Sequence, residues 1–244
     1  MIAPKRRRGR NGRPPGSRTA AGKTSDLAAD REHALALIPV SRETADRLDA
    51  FVTVLTTWQR RINLIAPSTE AKLWTRHIAD SLQLVAFAPL AQIWVDVGSG
   101  AGFPGLVIAC ALAEKPGACV HLVESNAKKA AFLREAVRTT GAPAVVHAAR
   151  IANFVEIFAG AAEVVTARAF APLVNLLAEA YPLLKRGAMG IFAKGQDIGA
   201  ELTEAAKCWN IQASLAPSRT DPSARIVCIS RIEPRLQLTR ELKP

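Results

Sequence analysis

The sequence lacks the features that mark membrane, secreted and metal-binding proteins. Its 244 residues include four cysteines without the spacing of metal ligands: Cys110, Cys119, Cys208 and Cys228. Each stands in an apolar stretch, which predicts buried free thiols in a reducing compartment. The longest apolar runs, such as residues 82–90, are too short to span a bilayer, and no apolar segment follows the basic N-terminus as it would in a signal peptide. We therefore expect a cytoplasmic protein that does not enter a membrane.

Acidic side chains are scarce relative to basic ones. There are 21 Asp and Glu against 32 Lys and Arg, which gives a formal net charge of +11. Residues 1–25 contain no acid and a run of basic side chains: Lys5, Arg6, Arg7, Arg8, Arg10, Arg13, Arg18 and Lys23. Because this segment is also poor in apolar side chains, we predict a disordered tail over residues 1–26. Its charge suits binding to RNA or DNA; a dispensable extension or a misassigned start is the other interpretation.

The rest of the chain has the composition of a folded protein. Hydrophobic residues make up 49% of the sequence, which excludes a wholly disordered chain. Residues 27–90 have helical periodicity, with Ser41 as a predicted N-cap, and predict an N-terminal helical cap. Over residues 91–244 short apolar strands alternate with helices, which predicts an α/β domain with a parallel sheet and helices on both faces. The predicted strands are residues 93–97, 119–124, 144–146, 163–167, 189–193 and 225–230.

A glycine-rich loop follows the first predicted strand, at the sheet edge where such folds bind ligands. Gly100, Gly102 and Gly105 fit the G-x-G-x-x-G spacing of dinucleotide sites, and Asp96 with the glycines from Gly98 onward fits D-x-G-x-G-x-G. An acid before the first glycine disfavours a pyrophosphate. It suits a ligand with a cationic part, such as the amino group of S-adenosylmethionine, which we therefore expect as the cofactor.

Glu124 ends the second predicted strand, where a carboxylate can accept both ribose hydroxyls of a nucleoside. That position fits NAD as well as S-adenosylmethionine, and Asp96 favours the latter. An NAD-linked oxidoreductase is the alternative enzyme. A nucleic-acid-binding protein with a vestigial nucleotide fold is the alternative outside enzymes, and a tight turn without a ligand is the purely structural interpretation of the loop.

The end of the fourth predicted strand, which should face the methyl donor, carries Arg168 within the stretch Ala167-Arg168-Ala169-Phe170-Ala171-Pro172. This stretch contains neither the Asp/Asn-Pro-Pro-aromatic sequence of adenine amino methylation nor the Pro-Cys pair of cytosine C5 chemistry. An acceptor that is already nucleophilic remains, such as guanine N7, whose lone pair needs no general base. Proximity and in-line orientation then supply most of the catalysis.

The chain resembles the bacterial small-subunit ribosomal RNA (guanine-N7)-methyltransferases, the RsmG type, also called glucose-inhibited division protein B. The resemblance spans about residues 48–231 and rests on segments in preserved order: 61–65, Arg76-His77-Ile78-Ala79-Asp80-Ser81-Leu82, 96–105, Glu124-Ser125, 128–133, 167–171 and Lys194-Gly195. It implies a Rossmann-like class I S-adenosylmethionine-dependent methyltransferase fold with an N-terminal helical cap. The implied substrate is one guanine, guanine 527, in the 530 loop of 16S ribosomal RNA, as free RNA or in the small subunit, and we expect a monomer.

The resemblance also implies roles for individual residues. The cofactor residues are Asp96 near the methionine end, Glu124 at the ribose, and a further set along the loop and the adenine pocket: Gly98, Gly100, Gly102, Phe103, Ala149 and Arg150. Core packing and stacking on the target base are the other interpretations of Phe103, and a surface charge is the other interpretation of Arg150. Arg168 is the candidate catalytic residue. The substrate-side candidates are Asn63, His77, Asp80, Ser81 and Arg168; for His77, Asp80 and Ser81, which share one helical face, a polar brace is the alternative.

Overall fold

The computed structural model describes residues 20–168 and 172–235, with the side chains of residues 20–25 left aside. Helix α1 spans Ala20–Leu37. The prediction of a disordered tail over residues 1–26 is therefore wrong for its last seven residues, which begin a helix; residues 1–19 lie outside the described residues. Helix α2 follows at Arg42–Gln59. As expected, it begins after Ser41, whose Oγ accepts a hydrogen bond of 3.1 Å from the Thr44 amide.

The second half of the cap is helical but not regular. A 3₁₀ helix spans Pro67–Lys72, a π-helical turn Trp74–Ala79, a single α turn, α3, Asp80–Leu82, and another 3₁₀ helix Gln83–Phe87. Because 3₁₀, π and α helices differ in the number of residues per turn, a regular α-helix over this segment would point its side chains in other directions. The irregular winding therefore decides which of His77, Asp80 and Ser81 face the sheet.

Seven strands form one sheet in the order β3-β2-β1-β4-β5-β7-β6. Their bounds are β1 Ile93–Val97, β2 Cys119–Val123, β3 Ala144–His147, β4 Val164–Arg168, β5 Met189–Lys194, β6 Trp209–Pro217 and β7 Arg225–Pro234. The first five are parallel, with Val97 opposite Val123, whereas β7 runs antiparallel to β5 and β6 antiparallel to β7. The α/β class is confirmed. The expectation of an entirely parallel sheet is wrong at the β5 edge, because a hairpin closes it.

Helices cover both faces of the sheet: α4 Gly105–Ala111, α5 Ala127–Thr140, α6 Ile151–Ile157, α7 Leu173–Leu184 and α8 Ile198–Ala205. On one face the cap helices pack with α4 and α5 in a single apolar cluster. The Phe51 ring lies 5.4 Å from the ring of Phe103 and 6.4 Å from that of Phe132. The other face packs against α6, α7 and α8. The cap and the sheet therefore share one core, which fixes the cap against the strand ends.

The composition predicted buried free thiols and no membrane-spanning segment. All four cysteines are free thiols. Cys110 is buried as predicted, Cys119 and Cys228 are half-buried, and Cys208 is exposed, so the prediction of a buried thiol is wrong for Cys208. Cys208 lies in the turn before the edge strand β6, where one face is open to solvent. Across the described ranges, helices long and apolar enough to cross a bilayer are absent.

Candidate active site

The loop after β1 crosses the edge at which the parallel strands end. Gly98, Gly100 and Gly102 have φ angles of 72°, 55° and 84°, in the left-handed region that favours glycine. The amides of Gly98 and Ser99 both donate to the Val123 carbonyl, at 2.9 and 3.0 Å. The three glycines are thus required by backbone shape, and the loop stays attached to the neighbouring strand β2.

A cavity of about 730 Å³ opens beside this loop. It is lined by the loop, the end of β2, the start of α6 and the α7 face: Gly98, Gly100, Val123, Glu124, Ser125, Lys129, Ala149, Arg150, Ile151, Ala152, Arg168, Ala178, Glu179 and Pro182. We call it the loop cavity. Its lining includes six of the nine residues assigned to the cofactor or to catalysis from the sequence: Gly98, Gly100, Glu124, Ala149, Arg150 and Arg168.

Glu124 stands in the wall of the loop cavity with its carboxylate already oriented. Its Oε2 accepts from the Gly100 amide at 2.8 Å and its Oε1 from the Asn126 amide at 2.7 Å. Each carboxylate oxygen can accept a second hydrogen bond, so the hydroxyls of a bound ribose have acceptors here. The orientation comes from main-chain donors, which do not depend on a ligand being present.

Asp96 lies beneath the loop and is fully buried. Its Oδ2 accepts from the Gly105 amide at 3.2 Å, and its Oδ1 has no hydrogen-bond partner among the described residues. Burial raises the pKa of this carboxyl to about 7. A Cβ at Gly105 would lie 2.5 Å from Asp96 Oδ2, so the close approach of the helix to the acid requires glycine. Asp96 is therefore beside the loop cavity but is not part of its lining.

Phe103 is buried in the core and does not line the loop cavity. Its ring stacks on the His77 imidazole with centroids 5.0 Å apart, and the Arg168 guanidinium carbon lies 4.9 Å from its centroid. This placement supports the core interpretation and not the assignment to the cofactor. Gly102 likewise shapes the loop without lining the loop cavity; its Cα faces Phe51 and Leu106.

A second cavity of about 350 Å³ lies between the cap and the β5 edge of the sheet; we call it the cap cavity. Its lining comes from the π-helical turn, the end of β5, α8 and the β6–β7 hairpin: Thr69, Arg76, His77, Asp80, Arg168, Ala193, Lys194, Gly195, Glu201, Thr220, Asp221, Ala224 and Ile226. Of the described residues, Arg168 alone lines both cavities. Two ligands bound in the two cavities would therefore meet at this side chain.

The cap holds Arg168 in place. Its Nη1 donates to the Arg76 carbonyl at 3.0 Å and its Nη2 to Nδ1 of His77 at 2.6 Å. Because a guanidinium only donates, Nδ1 carries the lone pair, and Nε2–H of His77 donates to Thr69 Oγ at 2.9 Å. Burial and the neighbouring Arg168 charge lower the pKa of His77 to about 3. His77 is therefore a neutral acceptor that positions the arginine.

The remaining substrate-side candidates separate in the structure. Asp80 lines the cap cavity, whereas Ser81 is fully buried and donates to the His77 carbonyl at 2.6 Å. Asn63 is exposed in the loop after α2 and lines neither cavity. The structure thus brings Arg168, His77 and Asp80 together, makes Ser81 a helix brace, and places Asn63 elsewhere.

Strand β6 and the turn that joins it to β7 are the part of the site that sequence reasoning missed, whereas β7 contains the strand predicted at residues 225–230. Gln83 joins it to the cap: its Nε2 donates to Ser218 Oγ at 3.1 Å, and its Oε1 accepts from the Arg219 amide at 2.9 Å. Arg76 adds an ion pair of 2.8 Å to Asp221. Strand β6 alternates apolar and polar side chains from Trp209 to Leu215, which is the period of a half-exposed strand, but it lacks the continuous apolar run by which the other strands were predicted.

Comparison with known proteins decides the family. The family model described as rRNA small subunit methyltransferase G (GidB) matches residues 44–221. The chain belongs to this family. The activity of the family is S-adenosylmethionine-dependent methyl transfer. This decides against an NAD-linked oxidoreductase and against a nucleic-acid-binding protein without enzymatic activity.

Individual relatives agree with the assignment. The chain is 60% identical over 207 residues to ribosomal RNA small subunit methyltransferase G of Bradyrhizobium sp. (strain BTAi1), covering 85% of this chain and 93% of that protein. It is 55% identical over 212 residues to the protein of the same name from Rhodopseudomonas palustris (strain BisB18), covering 87% and 91%.

Solved structures show the same fold at low identity. An O-methyltransferase from Bacillus cereus in complex with SAH superposes with a TM-score of 0.56 at 13% identity, over 86% of this chain and 100% of that one. The O-methyltransferase TomG from Streptomyces achromogenes, in complex with SAM, gives 0.55 at 11% identity, over 85% and 98%. The class I methyltransferase fold is thereby confirmed.

The residues of the loop cavity fit S-adenosylmethionine, the cofactor of the family. A preoriented carboxylate, Glu124, suits a ribose, and Ala149 and Arg150 extend the wall past it. The buried Asp96 carboxyl, with one oxygen lacking a partner among the described residues, suits an ammonium nearby. A pyrophosphate bound by the loop would face the Asp96 carboxyl, which disfavours NAD.

Proposed function

We propose that this protein transfers the methyl group of S-adenosylmethionine to N7 of a guanine in the 530 loop of 16S ribosomal RNA, guanine 527. The observation that carries the proposal is the position of Arg168 between the two cavities. The loop cavity has Glu124 in its wall and Asp96 beside it, two acids that suit the cofactor, and the cap cavity has the size of a small-molecule site. The base and the methyl donor would thus approach each other at Arg168.

Methyl transfer to guanine N7 does not require a general acid or base from the protein. When bound, S-adenosylmethionine supplies an electrophilic methyl group, and the N7 lone pair of guanine accepts it without losing a proton. The site agrees with this requirement, because His77 is neutral and both of its nitrogens are hydrogen-bonded, to Thr69 in the cap and to Arg168 at the end of β4. The protein's work is to hold the base in line and to exclude water.

Arg168 cannot bind N7, which must stay open, and a cation beside the methylated base would oppose its new positive charge. Its bonds to Arg76 and His77 use one hydrogen from each Nη, so the guanidinium keeps further N–H donors. Guanine O6 and an RNA phosphate are acceptors with the right chemistry. We therefore assign Arg168 the orientation of the substrate and not proton transfer.

The decisive experiment maps 7-methylguanosine in 16S RNA from cells with and without this protein. We expect the modification at guanine 527 to disappear on deletion and to return with the wild-type chain. A 16S RNA whose 7-methylguanosine content is unchanged by deletion would refute the proposed function. The same assay on free RNA and on isolated small subunits identifies which of the two is the substrate.

Arg168→Ala tests the assignment of the central residue. We expect turnover to fall roughly 100-fold, as when a preorganised donor is removed from an active site, with S-adenosylmethionine still bound. Arg138→Ala is a matched control, because Arg138 is an exposed arginine on α5 that lines neither cavity. Near-normal methylation by Arg168→Ala would remove it from the site.

The basic tail, the oligomeric state and the compartment belong to the same proposal. We infer a cytoplasmic monomer whose residues 1–19 add affinity for RNA without taking part in catalysis. Deleting residues 1–19 leaves α1 complete. We expect methylation to persist at low salt, with weaker binding and a shallower dependence on salt concentration. A chain that loses all activity on this deletion would show that the tail is part of the catalytic unit.

A further inference from the structure

The cap cavity contains an acceptor that methyl transfer itself does not need. We propose that Asp80 selects guanine by accepting hydrogen bonds from its N1–H and N2–H₂ groups. This inference rests on the proposed function and names the residue that decides which base the site takes. Its basis is the unequal use of the two oxygens of one carboxylate.

One oxygen of Asp80 is committed to the protein and the other is not. Oδ1 accepts from Gln83 Nε2 at 2.9 Å and from Thr220 Oγ1 at 2.7 Å. Oδ2 forms an ion pair of 3.8 Å with Arg168 Nη1, a separation that is beyond hydrogen-bonding distance. The side chain is 18% exposed. The carboxylate is therefore fixed from the protein side and keeps Oδ2 for a ligand of the cap cavity.

The other acids of the cap cavity are occupied. Glu201 Oε2 accepts from the Leu173 amide at 2.6 Å and pairs with Lys194 at 2.7 Å. Asp221 Oδ2 pairs with Arg76 at 2.8 Å, and its Oδ1 accepts from the Ser223 amide and hydroxyl. Both carboxylates are thus neutralised or held by main-chain donors. Asp80 is also paired with a cation, Arg168, but only at 3.8 Å, so its Oδ2 can still accept hydrogen bonds from a base.

The geometry of guanine matches the order of Arg168 and Asp80. N7 has to face the loop cavity, which adjoins the cap cavity at Arg168. On the base, O6 lies between N7 and N1–H, so a donor at O6 stands next to an acceptor at N1–H and N2–H₂. Arg168 is that donor, and Asp80 is the neighbouring acceptor. Adenine presents an amino donor and a bare N1 at these places, so it would oppose both side chains.

The test compares guanine with inosine, which lacks the N2 amino group. Small subunits are reconstituted with ligated 16S RNA that carries either base at the target position, and kcat/KM for labelled methyl transfer is measured. We expect the wild type to prefer guanine roughly 10- to 100-fold, as for one hydrogen bond to a charged acceptor. Equal rates on the two RNAs would overturn the proposal without any variant.

The variant Asp80→Asn distinguishes recognition of guanine by Oδ2 from the structural role of Oδ1. Because Gln83 and Thr220 both donate to Oδ1, the amide oxygen stays at that place and the NH₂ group replaces Oδ2. The fold contacts are kept, while a donor now meets the donors of guanine. We expect activity on guanine to fall and most of the preference over inosine to disappear. Bound S-adenosylmethionine and unfolding by circular dichroism verify that the variant is folded.

Thr220→Val is the matched control, since it removes a bond to Oδ1 and leaves Oδ2 in place. Its guanine-to-inosine ratio should equal that of the wild type, whatever its absolute rate. If Asp80→Asn lowers both rates equally and keeps the ratio, Asp80 only balances the charge of Arg168 and the proposal is wrong. A wild type that methylates neither RNA contradicts the proposed function instead.

Discussion

We expect the substitution Asp96→Asn to change the pH dependence of the free energy of unfolding more than the substitution of any exposed acid would. The Asp96 carboxyl is fully buried, with one weak main-chain hydrogen bond of 3.2 Å to Oδ2. Burial raises its pKa from 3.8 to about 7, against the lowering influence of Ser99, the Gly105 amide and Arg168. Asparagine has nearly the same shape and does not titrate, so the pair of proteins isolates this one group.

The linkage between proton binding and folding gives the sign and the size of this change in unfolding free energy. Between pH 4 and pH 7 Asp96 is protonated in the folded chain and ionised in the unfolded chain, so the free energy of unfolding falls as the pH rises. The stability is fully present below pH 4 and is lost as the pH passes through about 7. At about 1.4 kcal/mol per pH unit, the interval between the pKa of 3.8 in the unfolded chain and the pKa of about 7 in the folded chain corresponds to about 4 kcal/mol of unfolding free energy. Between pH 5 and pH 8 the contribution is about 2.5 kcal/mol.

Urea unfolding of both proteins without cofactor, at pH 5, 6, 7 and 8, measures this directly. We expect the stability of Asp96→Asn relative to the wild type to rise by about 2.5 kcal/mol over that range. All other titrating groups are common to both chains and cancel in the difference. A difference that stays constant with pH would show that Asp96 is already ionised in the folded protein at pH 5, and would refute the argument from burial.

Three further predictions concern the frame around the site. Gly105→Ala places a Cβ 2.5 Å from Asp96 Oδ2, so we expect a loss of about 1–3 kcal/mol in urea unfolding; an unchanged midpoint would contradict the close packing. The imidazole NMR shifts of His77 should stay constant from pH 5 to pH 8, since its pKa is about 3; a titration near pH 6 would show that it is open to solvent. Gln83→Leu should speed hydrogen exchange of the Arg219 amide, which Gln83 holds at 2.9 Å, whereas equal exchange would mean that the hairpin is fixed by other contacts.

The element pattern of the parallel half was readable from the chain. Strands β1 and β5 lie where periodicity predicted them, because buried parallel strands are continuous apolar runs between turns. Helices α6 and α8 and strand β6 were not predicted. They are short or half exposed, and their stability comes from packing against the sheet more than from local pattern.

The site was predicted in part. Glu124 and Arg168 follow directly from their positions at strand ends, since parallel strands end at one edge. The placement of Phe103, Ser81 and Asn63 did not follow, because sequence spacing does not say which side of a loop or an irregular helix a side chain takes.

By itself the sequence determined the α/β class, the glycine loop with its two acids, and the arginine at the end of β4. These are local facts: backbone conformations that need glycine, and charges at strand ends. Only the tertiary structure decided that Arg168 stands between two cavities and that Asp80 Oδ2 lies beside it at 3.8 Å, beyond hydrogen-bonding distance. Those properties depend on the cap and the hairpin, which are far apart along the chain and are brought together by the shared core and by the hydrogen bonds of Gln83.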